Sequence, residues 1–133
     1  MSEKQETFTI SELAAQLDVS PSTIRFYEDK GLISPSRTPG NQRVYTHRDR
    51  GRLKLILRGK RFGASLDEIA EMVGYANTKV NELNQIERSL YYLELKQKDI
   101  QLYRRELDLF EEDLLSLREK LLGRKQELSG NTE

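Results

Sequence analysis

Ser22, Thr23, Arg25, Tyr27 and Glu28 fall within one short stretch of the chain, and Arg37, Asn41, Gln42 and Arg43 follow in a segment rich in turn residues. Hydroxyls, guanidiniums and amides are the groups that donate to phosphate oxygens and to the acceptor edges of bases. A third set follows at once: Arg48, Arg50 and Arg52, then Arg58, Lys60 and Arg61. Residues 25–61 carry a net charge of +8, against −3 for residues 1–24 and −5 for residues 62–133. The chain total of 22 basic and 22 acidic side chains therefore averages over unlike parts. Charge clustering alone leaves two readings open, a phosphate-binding strip or a solvated basic face without a polyanion partner.

Other chemistries find little support. With no cysteine there is no disulfide framework, thiolate metal site or thiol redox couple. A lone His47 cannot build a zinc site, so no metal and no cofactor is expected. No Ser-His-Asp set or phosphate loop is visible, and the chain reads as a non-enzyme. Glu111-Glu112-Asp113 is most simply a solvated helix face. No apolar run approaches the roughly 20 residues that span a bilayer, and Met1–Gln5 does not resemble a signal peptide. A soluble, cytoplasmic protein is expected.

The basic side chains must be positioned by short elements whose starts are well marked. Thr9 with Glu12 forms a capping-box pattern that opens a helix over Ile10–Leu17. Ser20-Pro21 is a cap followed by a first-turn proline, opening a second helix that Gly31 ends. Only Asp18-Val19 separates the two, which is helix-turn-helix spacing. Thr46 with Asp49 starts a third helix running to about Phe62, with Gly63 as its left-handed stop. Ser65 with Glu68 starts a fourth over Leu66–Val73, ended near Gly74. Between the second and third helices, Pro39-Gly40-Asn41 is turn chemistry and Arg43-Val44-Tyr45 alternates as a strand does, giving a hairpin wing. On the second helix Ile24 should turn inward, leaving Ser22, Thr23, Arg25, Tyr27 and Glu28 exposed. Phe26 and Tyr45 read most simply as packing between helix and wing, and His47 as occupying the first turn of the third helix.

From Val80 to Leu122 there is no proline or glycine. One apolar line repeats every seven residues: Ile86, Leu93, Ile100, Leu107, Leu114 and Leu121. Leu83 and Leu90 accompany its first part, and Tyr103, Phe110 and Leu117 its second, so the stripe changes side near Gln97. A helix of 43 residues is roughly 64 Å long at 1.5 Å per residue. A 75-residue domain cannot bury such a stripe, so self-association through a helix pair is expected, of either polarity. Residues 123–133 read as a disordered tail.

Taken together, Phe8-Thr9-Ile10-Ser11-Glu12-Leu13-Ala14, the run Ser22–Ile33 and Asn41-Gln42-Arg43-Val44-Tyr45 resemble the MerR family of bacterial transcription regulators. The likeness covers residues 8–75. The basic stretch Arg48–Arg61 is similar to regulators of branched-chain amino-acid and acyl-CoA breakdown. The resemblance implies a mainly α fold: a winged helix-turn-helix DNA-binding domain over residues 8–76 and a dimerisation helix over residues 80–122 in an antiparallel coiled coil. It implies a homodimer on a palindromic operator of double-stranded DNA, bending and untwisting a promoter so that RNA polymerase can engage both its elements. By position, Ser22, Thr23, Arg25 and Tyr27 become recognition-helix contacts, Arg37, Asn41, Arg43 and Tyr45 belong to the wing, and Lys60 or Arg61 lies near a second backbone contact. Metal- and redox-sensing members carry cysteines near the end of the dimerisation helix, and drug-sensing members append a large ligand domain. With no cysteine, and with fewer than a dozen residues after Leu122, neither device is expected here, and a repressor without inducer is a further reading. An effector would have to bind the helix pair or the hinge around Gly74–Thr78. An excisionase-type architectural DNA-bending protein and a coiled-coil adaptor that binds no DNA are the competing readings.

Overall fold

The computed structural model describes residues 6–76 and 81–130. Its elements follow in the order β1 (Thr7–Phe8), α1 (Ile10–Leu17), α2 (Pro21–Asp29), β2 (Ser36–Arg37), β3 (Arg43–Thr46), α3 (His47–Arg61), α4 (Leu66–Val73) and α5 (Glu82–Gly130).

The caps expected from sequence form. The Thr9 side chain accepts from Glu12 N at 3.1 Å while Glu12 Oε1 accepts from Thr9 N at 3.1 Å. Thr46–Asp49 and Ser65–Glu68 close the same reciprocal pair at the starts of α3 and α4. Each box satisfies amides that the first helical turn leaves without partners. Ser20 Oγ caps α2 by accepting from Thr23 N at 3.2 Å. The turn between α1 and α2 is closed by Asp18 in the left-handed region (φ 55°), whose amide still donates to Ala14 O and Ala15 O. Aspartate tolerates that conformation better than most side chains, and it lets two residues reverse the chain.

The wing is a sheet of order β1-β3-β2. β2 pairs antiparallel with β3 in the register Ser36↔Val44 and Arg37↔Arg43. The loop between them closes through Thr38 N→Gln42 O and Asn41 N→Thr38 O, both 2.8 Å, with Asn41 at φ 63°. β1, a strand without an alternating pattern long enough to announce it, pairs Thr7↔Thr46 and Phe8↔Tyr45 on the other edge of β3.

The core joins all of these elements except β2 and α5: Phe8, Leu13, Ala14, Ile24, Tyr27, Leu32, Ile33, Tyr45, Leu53, Ile56, Ile69 and Ala70 are buried. Asp49 is buried with them, its carboxylate accepting from Thr46 N at 2.9 Å and from Thr46 Oγ1 at 3.2 Å.

By compactness the chain divides into two units that meet inside α5, between Tyr92 and Leu93. The first turns of α5 belong to the first unit. Arg88 pairs with Glu71 at 2.5 Å and Ser89 Oγ donates to Glu71 O at 3.1 Å. The second unit is helix alone, and among its described residues none is buried. The sequence places an irregular tail from Gly123 onward, whereas α5 continues through Gly123 to Gly130. A single helical glycine costs about 1 kcal/mol, which the helix-favouring residues after it and an Arg124–Glu127 ion pair at 2.9 Å help to offset. Val80, the expected helix start, and residues 77–78 of the expected hinge lie outside the described residues.

Candidate nucleic-acid interface

α2 presents Ser22, Arg25 and Phe26 to solvent, with Thr23 half-buried. Arg25 Nη2 lies 3.4 Å from Ser22 Oγ, so the two outward donors of the first turns are neighbours. Ser20 Oγ and Thr23 Oγ1 stand 2.9 Å apart, tying the Thr23 hydroxyl to the helix cap. These groups stand at the helix N-terminal end, where a recognition helix offers side chains to base edges.

Two aromatic side chains exchange the positions expected for them. Tyr27 is buried at 6% exposure and Phe26 is exposed at 44%. Helical geometry gives the reason: Tyr27 lies three residues from the fully buried Ile24 and shares its inward face, whereas Phe26 is on the far side. The signal was present in the spacing from Ile24. Burial raises the Tyr27 pKa. Phe26 meets Tyr27 edge-to-face at 5.3 Å between ring centroids, and Lys30 Nζ stands 5.5 Å from its ring centre. Phe26 therefore does not pack between helix and wing.

Tyr45 does pack there and is fully buried. Its hydroxyl has no hydrogen-bond partner among the described residues, and burial, with the nearby Glu28 charge second, pushes its pKa up to about 12. A buried phenol offers no face to a duplex, so the position of Tyr45 makes it a prop under the wing.

The wing is fastened to α2 by ionic contacts. Arg43 Nε donates to Glu28 Oε2 at 2.6 Å, and Arg37 Nη2 lies 3.6 Å from Glu28 Oε1. Glu28 and Arg43 are both half-buried, and the hydrogen bond to Glu28 is the main reason that the Arg43 pKa is raised. Arg37 Nη1 also donates to Asn41 O at 3.2 Å, across the wing loop. Asn41 is exposed at the tip. Charge-assisted bonds of this kind are stronger than neutral ones and fix orientation. Glu28 thus holds the wing and α2 in one frame, a role that sequence spacing does not reveal because Arg43 lies 15 residues away and Arg37 in a different element.

The basic residues of α3 divide into two groups. Arg48, Arg58, Lys60 and Arg61 are exposed. Arg52 turns inward: Nε donates to Leu32 O at 2.9 Å, Nη1 to Val73 O at 2.8 Å and Nη2 to Gly74 O at 2.6 Å. Desolvation lowers its pKa. Arg50 Nε donates to Gln16 Oε1 at 2.8 Å, joining α3 to α1. His47 opens α3 as expected, with its ring edge-on to Phe8 at 5.1 Å and Nε2 3.2 Å from Glu6 Oε2. Gly31 (φ +77°), at the exit of α2, is crossed by the Tyr75 ring, which would lie 3.3 Å from any Cβ, and its carbonyl accepts from Ala76 N at 2.9 Å.

Among the described residues no group of three or more His, Cys, Asp or Glu side chains could hold a metal ion, and no helix is long and apolar enough to cross a membrane.

Comparison with known proteins places this arrangement. Residues 8–76 match the family model described as "MerR HTH family regulatory protein", and residues 50–117 match "MerR, DNA binding". The mercuric resistance operon regulatory protein of Shigella flexneri is 34% identical over 102 residues, 76% of this chain and 67% of that protein. The HTH-type transcriptional regulator ZntR of Escherichia coli (strain K12) is 40% identical over 67 residues, 50% of this chain, which spans about half (48%) of ZntR. A solved MerR family structure from Listeria monocytogenes superposes with a TM-score of 0.67 at 25% identity, covering 92% of this chain and 95% of that one. The winged helix-turn-helix, its capped elements and these matches agree: the chain belongs to the MerR family of HTH transcription regulators, with a DNA-binding domain and no enzymatic role.

Proposed function

We propose that the protein acts in the cytoplasm as a homodimer, pairing two copies through α5 in an antiparallel coiled coil and placing one winged-helix unit on each half of a palindromic operator. The observation that carries the DNA-binding part of this reading is the fastening of the wing to α2, the helix that bears Arg25, through the contacts of Glu28 with Arg37 and Arg43. Ser22, Thr23 and Arg25 supply base-edge and phosphate contacts, Arg37, Asn41 and Arg43 act from the wing, and Lys60 and Arg61 reach a second stretch of backbone. Tyr27 and Tyr45 support this surface from below.

On the dimer seam, Ile86, Leu93, Ile100, Tyr103, Leu107, Phe110, Leu114, Leu117 and Leu121 are all exposed in the single chain. Apolar residues at heptad spacing with nothing over them are what a partner helix covers. Two units held at fixed spacing can bend and untwist the intervening promoter, a deformation of about 1–6 kcal/mol that the contacts must offset. RNA polymerase is the partner that would read such a change.

The test is a mobility-shift titration on a duplex enriched from a random library by the wild-type protein. With 6–10 phosphates neutralised, affinity should fall about 10³- to 10⁵-fold between 50 and 200 mM salt. Arg25→Ala should weaken binding by roughly tenfold or more, as loss of a good base or phosphate contact does, and Arg43→Ala by a similar factor because it also unfastens the wing from Glu28. Full affinity in both variants, or failure of the library to enrich any sequence, would sink the reading. Footprinting with polymerase on the enriched site then separates activation from repression.

A further inference from the structure

Glu28 is a carboxylate in an unfavourable place. It sits in the last turn of α2, where the helix dipole disfavours negative charge and where no basic residue of the same turn compensates. It also stands in the segment with the chain's net +8, on the element that reads DNA, where an acid works against phosphate binding. Neither helix stability nor bulk affinity accounts for it. What it does is occupy two arginines at once: Arg43 through Nε at 2.6 Å and Arg37 through Nη2 at 3.6 Å. The Arg43 contact is half-shielded, with Glu28 18% and Arg43 25% exposed, so salt screens it less than an open surface pair, whereas Arg37 is 41% exposed and adds the weaker arm.

We propose that Glu28 is a specificity-determining residue that holds Arg43 and Arg37 away from indiscriminate phosphate contact. On random duplex the two guanidiniums are already engaged, and recruiting them to phosphate means breaking contacts to a partly desolvated carboxylate. On a cognate site the same contacts deliver the wing in the correct register relative to α2. Glu28 itself is a positioning residue: it acts through Arg43 and Arg37. This inference rests on the DNA-binding reading above.

The experiment compares wild type, Glu28→Gln and Glu28→Gln/Arg43→Gln on the enriched duplex and on a scrambled duplex of equal length, across a salt series. Glu28→Gln keeps the side-chain size but removes the charge. It should bind the scrambled duplex severalfold more tightly at low salt, with a log K against log salt slope steeper by about 0.9–1.8, one or two more phosphates. The ratio of enriched to scrambled affinity should fall about tenfold, the scale of one mismatched base pair. The double variant should return the slope toward the wild-type value. If Glu28→Gln unfolds, as judged by circular dichroism, Glu28→Asp keeps the charge but shortens the reach, and should steepen the slope in the same direction by less. A proportional loss on both duplexes with an unchanged slope would mean that Glu28 is merely structural and would overturn the inference. A wild-type protein that does not distinguish the two duplexes would overturn the DNA reading and this inference with it.

Discussion

The winged region and the distal part of α5 use apolar residues in opposite ways. In the first, short helices with closed caps surround a core in which Leu13, Ile24, Tyr45, Leu53 and Ile56 are fully buried. In the second, Leu93 to Gly130, the leucines are as regular as any in the chain, and among the described residues not one is buried. Helical periodicity alone therefore does not decide whether a face is buried within its own chain. It says that an apolar face exists, and the surrounding elements decide whether the chain itself covers it. The first region covers its own apolar residues, and the second leaves its own uncovered.

Three substitutions probe that contrast. Leu53→Ala removes a fully buried side chain from α3 and should destabilise the winged region by about 2–5 kcal/mol, read as a lower thermal midpoint. Self-association through α5 should persist at temperatures where the wing remains folded. Leu107→Lys should do the reverse. A lysine in a helix seam exchanges apolar contact for a charge that must be desolvated, and weakens association by about 2–4 kcal/mol, tens- to nearly a thousandfold. Sedimentation should then show monomers whose winged region melts as in the wild type. Dimers of unchanged strength would place the seam elsewhere.

The smallest effect is expected at Tyr45. Its buried hydroxyl lacks a partner among the described residues, so Tyr45→Phe should stabilise the winged region by about 1 kcal/mol. The pH dependence has a definite sign. Because the folded state holds the phenol proton up to about 12, against 10.0 for the free group, the wild type should lose stability as pH rises from 10 to 12. Tyr45→Phe should lack that loss, as denaturant titrations at pH 9 and pH 11.5 would show.

The elements were legible wherever a local chemical rule fixes them. Thr9, Ser20, Thr46 and Ser65 mark helix starts because a cap acts over three residues, and each start agrees with its expected position. Contacts between distant residues were not legible. Glu28 reaches Arg43, and Arg52 reaches Leu32, Val73 and Gly74 across 20 to 22 residues, so their roles as fasteners were invisible beside their charge. Counting arginines as phosphate donors overstates the interface when some guanidiniums are turned inward. β1 went unnoticed because two residues carry no period. The exchange of Tyr27 and Phe26 follows from the three-residue spacing between Ile24 and Tyr27, which puts both on the inward face. The helical stretch beyond Gly123 shows how easily one glycine is absorbed when its neighbours favour the helix.

Arg52 has a mechanical consequence. Its three donors engage the carbonyls of Leu32, just beyond the exit of the recognition helix, and of Val73 and Gly74, at the exit of α4. The guanidinium is planar and its donors are fixed relative to one another, so one side chain ties the two exits together. Losing any one of the three bonds leaves a part-buried donor and a carbonyl without each other, so separating the exits carries a cost at each step. Arg52 is in this sense a rivet between the chain leaving α2 and the chain leaving α4, with its donors spent inside the protein.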